Sequence, residues 1–281
     1  MANIPQKIVH QYLRHDKKFP HVWCAGCSNG IILGAIIRAI ASMELDRDDI
    51  VMVSGIGCSS RMPVYIDLNT MHTLHGRAIA FATGIKMHKP KMKVIVVTGD
   101  GDCTAIGGNH LIHAARRNID LSVILVNNNI YGMTGGQCSP TTPHGAIATT
   151  APYGNIEPEF DICKLAIGAG ASFVARTTAF HVTEMQNYIQ ASMEHPGFSL
   201  IEVISACPVI YGRLNKKGGA PQMMKEFRDN SVPLTAVDKL PPEQVEGKIV
   251  RGILRREIQP EYTAAYGDLI QRVQASGGGE E

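Results

Sequence analysis

Two sets of residues in this 281-residue chain have the types and spacing to do chemistry. The first lies in residues 93–137, where Gly99-Asp100-Gly101 is followed, 28 residues after Asp100 (128 − 100), by Asn128 in a run of three asparagines. A carboxylate and an amide oxygen are hard ligands of the kind Mg²⁺ takes, and Mg²⁺ keeps part of its shell for phosphates and water. Gly99, Gly101, Gly107 and Gly108 leave the backbone bare, so amides at the turn and the helix start can approach an anion. The chemistry is a diphosphate held through a metal. It is not a dinucleotide fingerprint, since no G-x-G-x-x-G follows the preceding apolar run.

The second set is four of the seven cysteines. Cys24 and Cys27 form a C-x-x-C before a helical pattern, a spacing open to a dithiol redox pair, half a zinc site or half an iron-sulfur site. Cys58 and Cys207 each follow a β-branched run, so both should project from one sheet edge beside Asp100 and Asn128. A structural zinc fits four thiolates as well as a cluster does. Cys103, Cys138 and Cys163 lack partners at ligand spacing, and two of them are expected to pack as small apolar groups.

These residues need elements to position them. Val94 to Thr98, a helical pattern over about 106–117 and Leu121 to Val126 predict one βαβ unit with a right-handed crossover and both turns at the carboxyl edge. Further strands are expected at Ile50–Ser54, 172–177 and 199–205. Helices are expected over about 31–43, capped by Ser28 or Asn29, then from Met71 with two histidines at its start, and over about 160–167 and 182–194. The alternation predicts a doubly wound parallel α/β sheet. The α/β domain should span residues 1–207, with an irregular N-terminal arm over 1–22 and a loop of functional or interface character over 139–157. Residues 208–281 read as an irregular extension at a subunit interface, with a helix over about 262–273 and a disordered tail, SGGGEE. The basic stretch 248–257 reads best as a solvated helix face.

Composition bounds the rest. A net charge of +2 with scattered basic residues excludes a nucleic-acid footprint. Mean hydropathy near zero and the lack of a long apolar run exclude a membrane span, and the polar N-terminus lacks a signal core. The expectation is a cytoplasmic protein with reduced thiols.

Gly-Asp-Gly followed by about thirty residues and Asn-Asn resembles the signature of thiamine diphosphate enzymes. That resemblance implies Mg²⁺ ligation by Asp100, Asn128 and the carbonyl of Ile130. Together with W-C-x-G-C, G-I-G-C-S and C-P, residues 20 to about 210 resemble the β subunit of 2-oxoacid:ferredoxin oxidoreductases. The resemblance implies a [4Fe-4S] cluster on Cys24, Cys27, Cys58 and Cys207, and a thiamine diphosphate site lined by Ile56, Gly57, Cys58, Ser59, His75, Gly76, Gly101, Asp102, Gly132 and Met133. His72 is the weaker of the two histidines. The implied reaction is oxidative decarboxylation of a 2-oxoacid with coenzyme A and ferredoxin, or the reverse, with the cofactor as electron sink. Such enzymes need a glutamate on a second, pyrimidine-binding domain. No second domain follows here, so an α subunit should supply it in an αβ or α₂β₂ assembly. Arg61, three residues after Cys58, could pair with a substrate carboxylate, which leans toward 2-oxoglutarate over pyruvate. The competing readings are a non-oxidative thiamine diphosphate-dependent decarboxylase subunit and a zinc-stabilised scaffold.

Overall fold

The computed structural model describes residues 4–16 and 20–277. Strand β1 (Ile50–Ser54), β2 (Asn69–His72), β3 (Lys93–Gly99), β4 (Ser122–Asn127), β5 (Phe173–Thr178), β6 (Ser199–Ile204), β7 (Ser231–Pro233) and β8 (Ile249–Arg256) form one sheet. Their order is β2-β1-β3-β4-β6-β5-β8-β7. The pairs from β2 to β5 are parallel, β8 runs antiparallel to β5, and β7 is parallel to β8. This is the expected doubly wound α/β sheet with a mixed far edge.

Helices cover both faces, which is why β1 and β4 read as unbroken apolar runs. On one face, α2 (Asn29–Ser42) and α6 (Val182–Glu194) bury Ile32, Ile36, Ile40, Met185 and Ile189 against Ile95, Val97, Ile124 and Val126. On the other, α3 (Ala78–His88), α4 (Gly108–Arg116) and α5 (Ile162–Gly168) cover Val94, Val96, Val123 and Leu125. Alternate residues of β3 and β4 thus feed opposite cores. Each such side chain contributes roughly 1.5–3 kcal/mol on burial.

Four expectations are corrected. The helix predicted from Met71 begins at Ala78: Asn69–His72 instead pairs with β1 as an exposed edge strand, and Gly76, at φ +68°, separates strand from helix. The helix over 106–117 is preceded by a π-helical turn, Asp102–Ile106, before α4. The N-terminal arm contains a helix, α1 (Ile4–Gln11), and Leu13 bridges to Ile66. Residues 248–257 hold β8 rather than a helix, with Arg251 paired to Glu184 and Arg255 bonded to the Ile167 carbonyl at 3.2 Å.

The extension continues the sheet through β7 and β8 and adds α7 (Ala220–Asp229), the short helices α8 (Leu234–Val237) and α9 (Pro242–Val245), and α10 (Tyr262–Gly277). Met223 and Phe227 of α7 pack with Ile130, Ala206 and Tyr211 in a third apolar cluster. Of the tail expected to be disordered, Ser276 and Gly277 end α10, and 278–281 lie outside the described residues, as do arm residues 1–3 and 17–19. Among the described residues no helix is long and apolar enough to cross a membrane.

Candidate active site

Parallel pairing puts the ends of β1, β3, β4 and β6 at one edge, and a cavity opens there. Ile56, Gly57, Cys58, Ser59, His75, Asp100, Gly101, Asp102, Asn128, Ile130, Gly132 and Met133 line it, joined by Gly99, Val126, Tyr131 and Thr134. Gly76 stands behind the wall, its N–H bonded to Asp102. Arg61 and His72 do not line it. His72 Nδ1 lies 2.9 Å from Ser54 Oγ, and Arg61 sits in the turn Ser59–Val64.

Asp102 is 3% exposed and ties four segments together. Its Oδ1 accepts from the N–H of Ile56 (3.2 Å) and Gly76 (2.7 Å) and lies 2.5 Å from His75 Nδ1, while Oδ2 accepts from Thr98 Oγ1 at 2.8 Å. A carboxylate only accepts, so Nδ1 of His75 carries the proton and Nε2 remains for the cavity. Glycine is required at position 55, where a Cβ would sit 2.1 Å from Asp102 Oδ2. At Gly101 a Cβ would meet the Tyr131 ring at 2.2 Å, and Tyr131 donates to the Gly101 carbonyl at 3.1 Å.

Asp100 is also 3% exposed. Its Oδ2 accepts from Ser139 Oγ at 2.5 Å and Thr141 Oγ1 at 2.7 Å. Burial nevertheless raises its pKa to about 6. The three asparagines divide their work. Asn127 is buried and bonded, Asn129 takes the left-handed conformation at φ 62°, and Asn128 faces the cavity with its Oδ1 accepting from Ile130 N–H at 3.2 Å.

The cysteine segments are pinned to one another. Trp23 Nε1 donates to the Cys58 carbonyl at 2.7 Å. Ser28 Oγ, expected as a cap, instead accepts from Ala206 N–H at 2.9 Å, joining the start of α2 to Cys207. A Cβ at Gly132 would lie 3.6 Å from Cys207 Sγ and 3.7 Å from Cys58 Sγ, so the bare glycine leaves a cradle between two sulfurs. Burial pushes the Cys58 thiol up to about 11, and the nearby thiols of Cys27, Cys207 and Cys24 push the same way, against the Arg61 guanidinium. Cys27 is raised by burial, with Cys207 and Cys24 adding to it. The four thiols share one field, yet among the described residues no three His, Cys, Asp or Glu side chains gather closely enough to hold a single metal ion. Cys103 and Cys163 are buried, while Cys138 is half-buried.

Sequence reasoning did not single out Tyr131, Ser139 or Thr141. The signals were present: a tyrosine two residues after Asn129, and two hydroxyls opening the long loop after Cys138.

Comparison with known proteins fits this geometry. Residues 55–203 match the C-terminal thiamine pyrophosphate-binding domain of thiamine pyrophosphate enzymes. The chain is 50% identical over 259 residues to the 2-oxoglutarate synthase subunit KorB of Methanothermobacter marburgensis, covering 92% of this chain and 90% of the relative. It is 42% identical over 241 residues to the 2-oxoacid:ferredoxin oxidoreductase subunit beta of a Sulfolobus species, covering 82% and 75%. A solved structure, the 2-oxoglutarate:ferredoxin oxidoreductase of Magnetococcus marinus with 2-oxoglutarate, coenzyme A and succinyl-CoA bound, superposes with a TM-score of 0.84 at 34% identity, over 98% of this chain and 92% of that one. A thiamine diphosphate-type edge with thiols beside it, and relatives matched along almost the whole chain, place the protein among the β subunits of the 2-oxoacid:ferredoxin oxidoreductases.

Proposed function

We propose that this chain is the thiamine diphosphate-binding half of an enzyme that converts 2-oxoglutarate and coenzyme A to succinyl-CoA and CO₂ while reducing ferredoxin, or runs the reverse carboxylation. The observation that carries it is the cavity that Asp100, Asn128, Ile130 and Cys58 line together, with the Cys207 sulfur close to Gly132 of the same wall. Relatives named for 2-oxoglutarate favour that substrate over pyruvate.

The residues present fit the groups this reading requires. Ser139 and Thr141 take Asp100 Oδ2, so Oδ1, the Asn128 amide oxygen and the Ile130 carbonyl are the oxygens for Mg²⁺. The buried carboxylate, desolvated and raised to about 6, is a group that a divalent cation would relieve. Ile56, Gly57, Ser59, Gly101 and Met133 would bind and orient thiamine diphosphate, which supplies the electron sink for decarboxylation. His75, held through Nδ1 by Asp102, is placed to accept or return a proton at Nε2. Cys24, Cys27, Cys58 and Cys207 would hold a [4Fe-4S] cluster that takes electrons singly. Zinc has no redox chemistry, whereas a cluster on four thiolates carries electrons, so beside an electron sink the cluster is the group that fits the proposed reaction. The activating glutamate belongs to an α subunit.

The test is the enzyme co-purified with its α subunit under anaerobic conditions. Coenzyme A-dependent reduction of ferredoxin by 2-oxoglutarate in preference to pyruvate, with about four iron atoms per chain, is the expected result. Carbon dioxide release without ferredoxin reduction would support the non-oxidative decarboxylase instead, and a colourless zinc protein would support the scaffold.

A further inference from the structure

We infer that Glu202, in the middle of β6 and outside the cavity, is a positioning residue for the metal end of the site. The inference rests on the reading of Asp100 and Asn128 as Mg²⁺ ligands. Glu202 is 2% exposed, a carboxylate inside the sheet core, and nothing in the proposed reaction touches it. In register it lies between Leu125 of β4 and Arg176 of β5. Its Oε2 accepts from Arg176 Nε at 2.6 Å and from the Cys163 thiol at 3.2 Å, and Arg176 Nη2 reaches Asp161 Oδ1 at 2.5 Å. The other oxygen faces the site: Oε1 accepts from Asn127 Nδ2 at 2.8 Å.

That bond sets the polarity of the Asn127 amide. With Nδ2 committed to the carboxylate, Oδ1 must point the opposite way, where it accepts from Asn129 N–H at 3.1 Å and lies 2.9 Å from Thr141 Oγ1. The first contact holds the left-handed turn at Asn129 that presents Asn128 and Ile130 to the cavity. The second fixes Thr141, whose hydroxyl is also 2.7 Å from Asp100 Oδ2. Both side-chain ligands of the metal are therefore oriented through one amide, and that amide is oriented by Glu202. Partners of this kind around a metal site typically change affinity about 10–100-fold when lost.

Glu202→Gln exposes the logic. The permanent guanidinium of Arg176 claims the new amide oxygen, which leaves the NH₂ facing Asn127 Nδ2, donor to donor. Asn127 must flip, and its NH₂ then faces the Asn129 N–H, which cannot reverse. Adding Asn127→Asp restores the matches on either side of residue 127, because a carboxylate there accepts both from the glutamine and from the Asn129 N–H.

The experiment uses the assembled enzyme with thiamine diphosphate and titrates Mn²⁺ in place of Mg²⁺, reading free and bound Mn²⁺ by electron paramagnetic resonance. Glu202→Gln is expected to weaken binding about tenfold or more, and the Glu202→Gln/Asn127→Asp pair to recover most of it. Thr141→Val, isosteric and neutral, should weaken binding in the same direction and serves if Glu202→Gln does not fold. A Mn²⁺ site lost in Asn128→Ala but unchanged in Glu202→Gln or, where that variant does not fold, in Thr141→Val overturns the role of Glu202. So does failure of the paired variant to recover binding. A native enzyme with no cofactor-dependent Mn²⁺ site, or one that Asn128→Ala leaves intact, overturns the metal reading and this inference with it.

Discussion

Asp100→Asn removes a charge that the metal-free cavity holds at a cost, and the cost can be worked out. Burial is the main cause of the rise in its pKa from the usual 3.8 to about 6, despite the hydroxyls of Ser139 and Thr141 on Oδ2. Because the folded value lies above the unfolded one, the folded protein holds the extra proton between those limits. The contribution of this group to stability is therefore full below pH 3.8 and is lost as pH rises through 6. The gap corresponds to about 3 kcal/mol above pH 6. An asparagine carries no charge to desolvate, and its carbonyl can accept the same two hydroxyls. In EDTA at pH 7.5, the Asp100→Asn enzyme should be more stable by up to about 3 kcal/mol, a rise in Tm of about 5–10 °C for a chain of this size. At pH 4 the gain should vanish. With Mg²⁺ and thiamine diphosphate the order should invert, because only the native carboxylate gains from binding the cation. Thermal unfolding of the assembled enzyme followed by circular dichroism across pH 4–8, with EDTA or Mg²⁺, reads all three. A variant no more stable than the native enzyme at pH 7.5 in EDTA would refute the reasoning, since ionised Asp100 would then carry no burden.

Asp102→Ala strands the N–H groups of Ile56 and Gly76 and should destabilise the chain by about 2–5 kcal/mol, whereas Asp102→Asn, which keeps an acceptor at Oδ1, should lose less than half of that. Chemical denaturation separates the two, and equal losses would mean that the charge rather than the bonds matters. Gly101→Ala drives a methyl into the Tyr131 ring and should both destabilise the protein and weaken thiamine diphosphate binding. Adding Tyr131→Ala should restore stability, as judged by Tm. Arg61→Ala should raise the KM for 2-oxoglutarate if its guanidinium meets the substrate carboxylate, and steady-state kinetics showing an unchanged KM would leave it acting on Cys58 alone.

The central strands are legible in the sequence because both of their faces are buried, so β1 and β4 present near-continuous apolar runs. The edges are not. Asn69–His72 is a polar, exposed four-residue strand with one neighbour, and nothing in NTMH separates it from the start of a helix. In β8 the charges of Arg251, Arg255 and Arg256 mask a strand whose pairing with β5 is interrupted by a bulge at Val174/Ala175. At the site, Asp100, Asn128 and the four cysteines stand out in the sequence by type and spacing. The residues that orient them do not. Asn127 meets Glu202 because β4 happens to lie beside β6, and Thr141 meets Asp100 because of how the loop after Gln137 folds back. Those contacts depend on register and loop path, which periodicity does not encode.

The pinning of Cys24 and Cys27 to Cys58 and Cys207 sets an order of events during synthesis. Cys207 is made 180 residues after Cys27 (207 − 27). At translation rates of 5–20 residues per second this separates them by roughly 10–40 s. Throughout that interval the early thiols stand on a nascent chain with no fourth partner, and the Ser28 contact to Ala206 that seats them cannot form. Any group bound through all four sulfurs can therefore be completed only after the whole of β6 has been made. Oxidation of the early pair before that moment would leave only Cys58 and Cys207, about Gly132, to hold such a group.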